Sequence, residues 1–229
     1  MKISIIIPVF NEEKAITKLL DYLLGIINSE YTNEIIIVDG GSDDKTLEIV
    51  KNYPLIKVLN SRKGRSIQMN CGAKKANSEI LYFLHCDTFP PINFDGEIVS
   101  QVQKRKFSGC FKMKFDSNHI VLKVSQWFTK FNHLSCRGGD QSLFVEQKLF
   151  HELNGFDERL AIYEDNKFIG RLYKKSKFTV IQKSVTTSAR KYIKNGVWKL
   201  QFHFIVIHLK NWLGASQEEL IRYYQKNIK

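Results

Sequence analysis

Three continuous apolar runs, each closing on polar side chains, constrain this chain more than any other feature. Ile3-Ser-Ile-Ile-Ile-Pro-Val9 leads into Phe10-Asn11-Glu12, Glu34-Ile-Ile-Ile-Val38 into Asp39, and Leu81-Tyr-Phe-Leu84 into His85-Cys86-Asp87. None shows helical periodicity or strict alternation, so they read as strands covered on both faces, as in a parallel sheet. Parallel strands need crossovers. Ala15, Ile16, Leu19, Leu20, Leu23 and Leu24 recur at helical spacing after Asn11, the expected N-cap, and Gly40-Gly-Ser-Asp-Asp44 is a turn able to start a helix through Val50. Strand, helix, strand, helix predicts an α/β fold with a mostly parallel central sheet flanked by helices and right-handed connections.

The pattern continues with a short strand at 55–59, a helix at 64–76, the central strand at 80–85 and a helix at 93–104. A half-buried strand at 107–115 and a helix at 119–131 come next, then the apolar Ser142 to Val145 and a helix at 146–153 stopped by Asn154-Gly155. Phe178 to Ile181 is the last expected strand. A long helix at 197–213 and a final one opened by the capping box Ser216 to Glu219 form a C-terminal helical extension.

An open α/β sheet puts its ligand outside the carboxyl ends of its strands. If the three apolar strands lie side by side, Asn11, Glu12, Asp39 and Asp87 crowd one rim. Such carboxylates need a counter-ion, for which a divalent cation shared with a phosphate is the natural choice. No G-x-G-x-x-G or G-x-x-x-x-G-K-[ST] follows a strand, which excludes dehydrogenase and P-loop readings. The net charge is +12, and from Lys174 onward twelve Lys or Arg face only Glu218 and Glu219, so the front is nearly neutral and the tail basic. No nucleic-acid module accompanies that charge, and no nucleic-acid partner is expected. The four cysteines lack ligand spacing and read as reduced thiols. The N-terminal apolar run is too short for a signal core, and no window is apolar enough to span a bilayer, so a cytoplasmic location is expected, with peripheral contact at the inner face of the membrane.

Four segments in order, Pro8-Val-Phe-Asn-Glu-Glu13, Val38-Asp-Gly-Gly-Ser-Asp-Asp-Lys-Thr46, the Asp87 strand end and Glu164-Asp165, resemble family 2 glycosyltransferases with the A-type nucleotide-diphospho-sugar transferase fold. The likeness covers about residues 1–190. It implies an inverting enzyme that moves a sugar from a nucleotide-diphosphate donor to an acceptor hydroxyl with Mg or Mn. Pro8, Phe10, Asn11, Glu12 and Asp39 would line the nucleotide pocket, and Arg65 and Asn70 would close over base and phosphates. Asp87 would hold the metal. This chain is a small, bacterial-type variant with His85-Cys86-Asp87 in place of the family's D-x-D, so His85 replaces an acid that touches ribose or metal. Gly139, Asp140 and Gln141 match the sugar and acceptor loop, Asp165 the general base with Glu164 beside it, and Arg190 a phosphate clamp. The bland alternatives remain: a turn cap for Asp39, a helix cap for Asn11, a buried strand-end imidazole for His85, a dipole-complementing pair for Glu164-Asp165. A non-catalytic nucleotide-sugar-binding or membrane-associated partner protein is the rival function.

The expected division is a catalytic domain at 1–192, with a nucleotide-binding half at 1–90 and an acceptor half at 91–192, followed by a basic amphipathic helical tail at 193–229. The tail helix carries two apolar strips. Trp198, Phe202, Ile205, Leu209 and Trp212 form one, and Leu200, Phe204 and Ile207 the other. One strip can cover the domain, leaving the second for an anionic membrane surface or a homodimer.

Overall fold

The structure, a computed structural model, describes residues 1–228; Lys229, the last residue of the expected tail, and the placement of Gly139 within its turn lie outside the described residues. The apolar runs become β1 (Ile3–Val9), β2 (Thr32–Asp39) and β4 (Ile80–Phe83), with β3 (Ile56–Asn60) outermost. Their order is β3-β2-β1-β4, all parallel. Val9 is in register with Asp39, Asp39 with Asn60, and Ile6 with Phe83. The chain therefore leaves the sheet at one level after β1, β2 and β3, while β4 ends opposite Ile6, three residues short of that level.

The crossovers α1 (Ile16–Ile26), α2 (Thr46–Val50) and α3 (Arg65–Lys75) flank these strands. Ile16, Leu19, Leu20 and Leu23 of α1 are fully buried against the odd-numbered isoleucines of β1, as the helical spacing predicts. Asn11 is not the N-cap of α1. The helix begins four residues after Glu12, with Ala15 at the cap position, because Asn11 adopts a left-handed backbone (φ 55°) and turns toward the β2–α2 loop.

Beyond β4 the sheet changes character. The sheet goes on from β4 through β7 (Leu143–Glu146), β6 (Ser108–Phe115) and β8 (Phe178–Thr187) to β5 (Thr88–Phe89), with β7 antiparallel to both β4 and β6. Strand β8 (Phe178–Thr187) is longer than its sequence expectation and runs parallel to β6, with a register shift at Phe111/Lys112. At the edge the two-residue β5 (Thr88–Phe89) pairs antiparallel with the end of β8. At Gly109 the β6 backbone approaches β8 so closely that an added Cβ would lie 2.4 Å from the Thr179 carbonyl oxygen.

Helices α4 (Phe94–Gln103), α5 (Ile120–Phe128), α6 (Gln147–Glu152) and α7 (Glu164–Lys175) complete the layers. The C-terminal extension consists of α8 (Arg190–Asn195), α9 (Val197–Trp212) and α10 (Gln217–Asn227), the last opened by the capping box Ser216/Glu219. Leu200 and Ile207 of α9, with Leu220 and Ile228, are buried in the same apolar cluster as β1 and α1. This is the strip that covers the domain. The strip headed by Trp198 and Trp212 stays open, those two rings being 71% and 80% exposed.

Candidate active site

The shared strand ends deliver the rim. Asp39 is buried, and its carboxylate accepts from the Gly41 and Ser42 amides at 2.8 and 2.9 Å and from Ser42 Oγ at 2.5 Å, closing the turn after β2. Asn11 clamps the same turn from the other side, donating Nδ2 to Asp43 at 2.6 Å and accepting from the Asp43 amide at 3.0 Å. The Glu12 amide donates to Thr46 Oγ1 at 2.8 Å. Phe10 lies beneath Lys63, whose ammonium is 3.7 Å from the ring centroid. Pro8 pairs in register with Val38 inside the sheet. Two loops distant in sequence are thus locked into one edge.

At the next strand, Asp87 forms an ion pair with Arg190, Nε to Oδ2 at 3.1 Å, and Arg190 also grips Glu12 through both terminal nitrogens at 2.7 and 2.8 Å. Bidentate charge-assisted bonds of this type are the strong ones. They tie the β1 loop, the β4 end and α8 together. Burial raises the Asp87 carboxyl above its ordinary value by more than the charges of His85 and Arg190 lower it.

Beside Asp87 lies a second charged group of residues. His85 is buried, with Nδ1 3.4 Å from Asp140 Oδ1. Burial and the charge of Arg65 push the imidazole pKa down, but the hydrogen bond to Asp140 and the charges of Asp165 and Asp140 outweigh them and hold it above its ordinary value. Asp140 moves the other way. Although partial desolvation of this half-exposed side chain opposes the shift, the His85 bond and the charges of His85, Arg65 and Lys191 take it to about 2. Arg65, in the first turn of α3, feels Glu164, Asp165 and Asp140, which overcome its desolvation.

Glu164 and Asp165 open α7 after Tyr163, which holds a left-handed backbone (φ 70°) and whose hydroxyl meets His208 Nδ1 of α9. Carboxylates in a first helical turn are usually helped to ionise by the dipole. Here burial dominates, and both are raised, Glu164 to about 7 with the Asp165 charge adding to the push. Dipole complementarity alone does not describe this pair. Adjacent buried acids of this kind titrate as a unit.

A stability consequence follows from the raised Glu164. A carboxyl raised on folding contributes stability that is complete below its unfolded value and is lost as pH rises through its folded value. Glu164→Gln, which mimics the protonated form, should match the parent in thermal melts near about pH 4 and exceed it by about 2 kcal/mol near about pH 8. A constant difference across that range would refute the raised value.

The structure does not bring every expected residue to this rim. Asn70 is consumed by the Phe156–Glu158 loop: its Nδ2 donates to the Phe156 carbonyl at 2.9 Å and Glu158 Oε1 at 3.0 Å, and its Oδ1 accepts from the Phe156 amide at 2.9 Å. Gln141 is buried behind Asp140, with Oε1 accepting from the Gly138 amide at 3.2 Å. Among the described residues its Nε2 has no hydrogen-bond partner. Sequence reasoning missed Lys191, whose charge acts on Asp140, and Tyr224 of α10, which lies under the Lys191 ammonium and acts on Arg65. The basic, aromatic run Arg190-Lys191-Tyr192 was a signal for the first; nothing in sequence pointed to the second.

Comparison with known proteins bears on the family and the fold. Residues 4–155 match the model of glycosyl transferase family 2. Over 111 residues the chain is 35% identical to the dolichyl N-acetyl-alpha-D-glucosaminyl phosphate 3-beta-D-2,3-diacetamido-2,3-dideoxy-beta-D-glucuronosyltransferase of Methanococcus voltae, a match covering 45% of this chain and 35% of that protein. The chain spans about a third of the length of such curated relatives. Among solved structures, Staphylococcus aureus TarS in complex with UDP-GlcNAc superposes with a TM-score of 0.66 at 21% identity, covering 82% of this chain and 58% of TarS. A mannosyltransferase from Pyrobaculum calidifontis in complex with GDP-Man and Mn2+ gives 0.67 at 15% identity, over 90% and 62%. The fold is that of the A-type nucleotide-sugar transferases, with the expected mostly parallel sheet. A locked edge at the strand ends, Asp87 and a buried acid pair fall together on that fold, and the chain belongs to glycosyl transferase family 2.

Proposed function

We propose that this protein transfers a sugar, with inversion at the anomeric carbon, from a nucleotide-diphosphate donor to an acceptor hydroxyl. The observation that carries the reading is the convergence of Asp87, His85, Asp140, Arg65 and the raised pair Glu164/Asp165 beside an edge locked by Asp39, Asn11 and Glu12. TarS binding UDP-GlcNAc on the same fold supports the donor class.

Asp165 accepts the proton of the acceptor hydroxyl, whose oxygen attacks the anomeric carbon as the bond to the diphosphate breaks and the nucleotide diphosphate leaves with the electron pair. Burial raises the proton affinity of Asp165, and Glu164, its immediate neighbour, titrates with it as a pair. Arg65 and Arg190 offer positive charge to the departing diphosphate, and His85, whose affinity for a proton Asp140 raises, stands beside them. The Arg190 guanidinium, now shared by Glu12 and Asp87, is the group a diphosphate would draw upon.

The residues present fit a divalent cation. Among the described residues no three His, Cys, Asp or Glu gather into a metal cage, but Mg and Mn in phosphate chemistry are commonly held by one or two carboxylates together with substrate oxygens. Asp87, a hard oxygen donor raised by burial, is the residue that would hold it. When bound, the ion supplies Lewis-acid neutralisation of the leaving group.

The test is a thermal-shift series with UDP and GDP, with and without Mn2+, on the parent and Asp87→Asn. Saturating nucleotide should stabilise the parent by about 2–3 kcal/mol, the Mn2+ increment vanishing in Asp87→Asn. No shift with any nucleotide diphosphate would overturn the reading, and binding without turnover over a panel of donors and acceptors would turn it into that of a binding protein.

A further inference from the structure

We infer that α5 and the open strip of α9 together form one docking surface for an anionic lipid bilayer. Helix α5 packs against α9, and the two apolar strips adjoin where His119, at the start of α5, meets the Trp198 ring with centroids 6.2 Å apart. From α5 the surface presents Val124, Trp127 and Phe128, and from α9 Trp198, Phe202 and Trp212, each about half exposed or more. The sixteen residues of α9 extend the strip for about 24 Å, at 1.5 Å per residue. An apolar band of this length with three tryptophans is larger than scattered surface hydrophobes account for.

Charge selects the occupant. From 117 to 139 there is no Asp or Glu, and from 166 to 217 eleven Lys or Arg stand without a single acid. Lys123 and Lys199 are exposed on the two helices themselves, and Lys130 lies over Trp127, its ammonium 4.0 Å from the ring centroid. A second copy docking here about a twofold axis would set this patch against itself and oppose like charges. An anionic headgroup layer answers both features, since it attracts basic side chains near its surface and tryptophan favours the interface. Among the described residues no helix is long and apolar enough to cross a membrane, so the contact is one that lies on the bilayer. Because α9 follows α8, which carries Arg190, the attachment brings the charged rim beside the lipid surface.

The experiment is flotation of the full chain with vesicles of phosphatidylcholine mixed with phosphatidylglycerol, against phosphatidylcholine alone, with the oligomeric state followed by light scattering. The parent should float with the mixed vesicles and not with phosphatidylcholine, and added salt should release it. Lys123→Glu with Lys199→Glu, and separately Trp127→Ser with Trp198→Ser, should each weaken binding by about tenfold or more. These side chains are exposed, so the variants should melt with the parent. No flotation with mixed vesicles, flotation indifferent to both variants, or a dimer that the tryptophan variant dissociates would each overturn the proposal. The nucleotide thermal shift needs no vesicle, so failure of the catalytic reading and failure of this one are separately visible.

Discussion

Asp165→Asn should lower kcat by about 10²–10⁴, the span over which a positioned general base contributes. The substitution keeps the shape of the side chain and removes only its basicity. The donor's KM should stay near the parent value, because the proposed diphosphate contacts come from Arg65 and Arg190, which the substitution leaves in place. The acid pair also sets the pH profile. With both carboxyls raised by burial, kcat/KM in the parent should climb with pH along an acid limb that reports the pair rather than either residue. In Asp165→Asn the residual rate should lose that limb. Initial rates of transfer, or of donor hydrolysis in the absence of acceptor, measure all three quantities. Parental turnover in Asp165→Asn would remove the base assignment while leaving the family membership untouched.

The largest expected effect on stability is at Gly109. An alanine methyl there would lie 2.4 Å from the Thr179 carbonyl oxygen and 2.7 Å from two carbons of the Phe144 ring. The Phe144 ring is fully buried, and the carbonyl belongs to the β8 backbone, so neither can swing aside cheaply. Gly109→Ala should therefore separate β6 from β8 and cost about 1–3 kcal/mol, as overpacking does. For a chain of this size that is a fall of about 2–4 °C in Tm per kcal/mol. Gly138→Ala is the control, since nothing lies within 4 Å of its added Cβ and its melt should be little changed. Equal melting of the two variants would show that the strand pair yields more easily than its geometry implies.

The first half of the molecule was legible because its signals are local. Continuous runs of isoleucine need both faces covered, and the helical spacing from Ala15 to Leu24 leaves one way to connect them. The tail was legible for the same reason, its two strips dividing into one buried and one open. The misses all depend on distant partners. Thr88-Phe89 is a strand only because it pairs with Thr186 and Thr187, about a hundred residues later. Asn70 looked like a phosphate-side residue, yet its amide is spent on a loop 86 residues away. Asn11 looked like a helix cap because that role needs only a short polar side chain, whereas its bonds to Asp43 require two loops brought together by parallel strands. Within the site, residue types at strand ends could be read directly. The pairings His85 with Asp140 and Arg190 with Glu12 could not, because each spans more than fifty residues.

The order of strands across the sheet also bears on how the molecule is made. The chain lays down β1 to β4 as neighbours, but the outer half is assembled out of sequence: β7 must enter between β4 and β6, and β5 must wait for the end of β8. On a translating ribosome the first four strands can therefore form early, while the other half of the sheet stays open until residue 187 has emerged. Such long-range closures are slow and leave unpaired edges in the interval. Arg190 follows three residues after that last strand, so its bridge to Glu12 and Asp87 forms only once the sheet is complete.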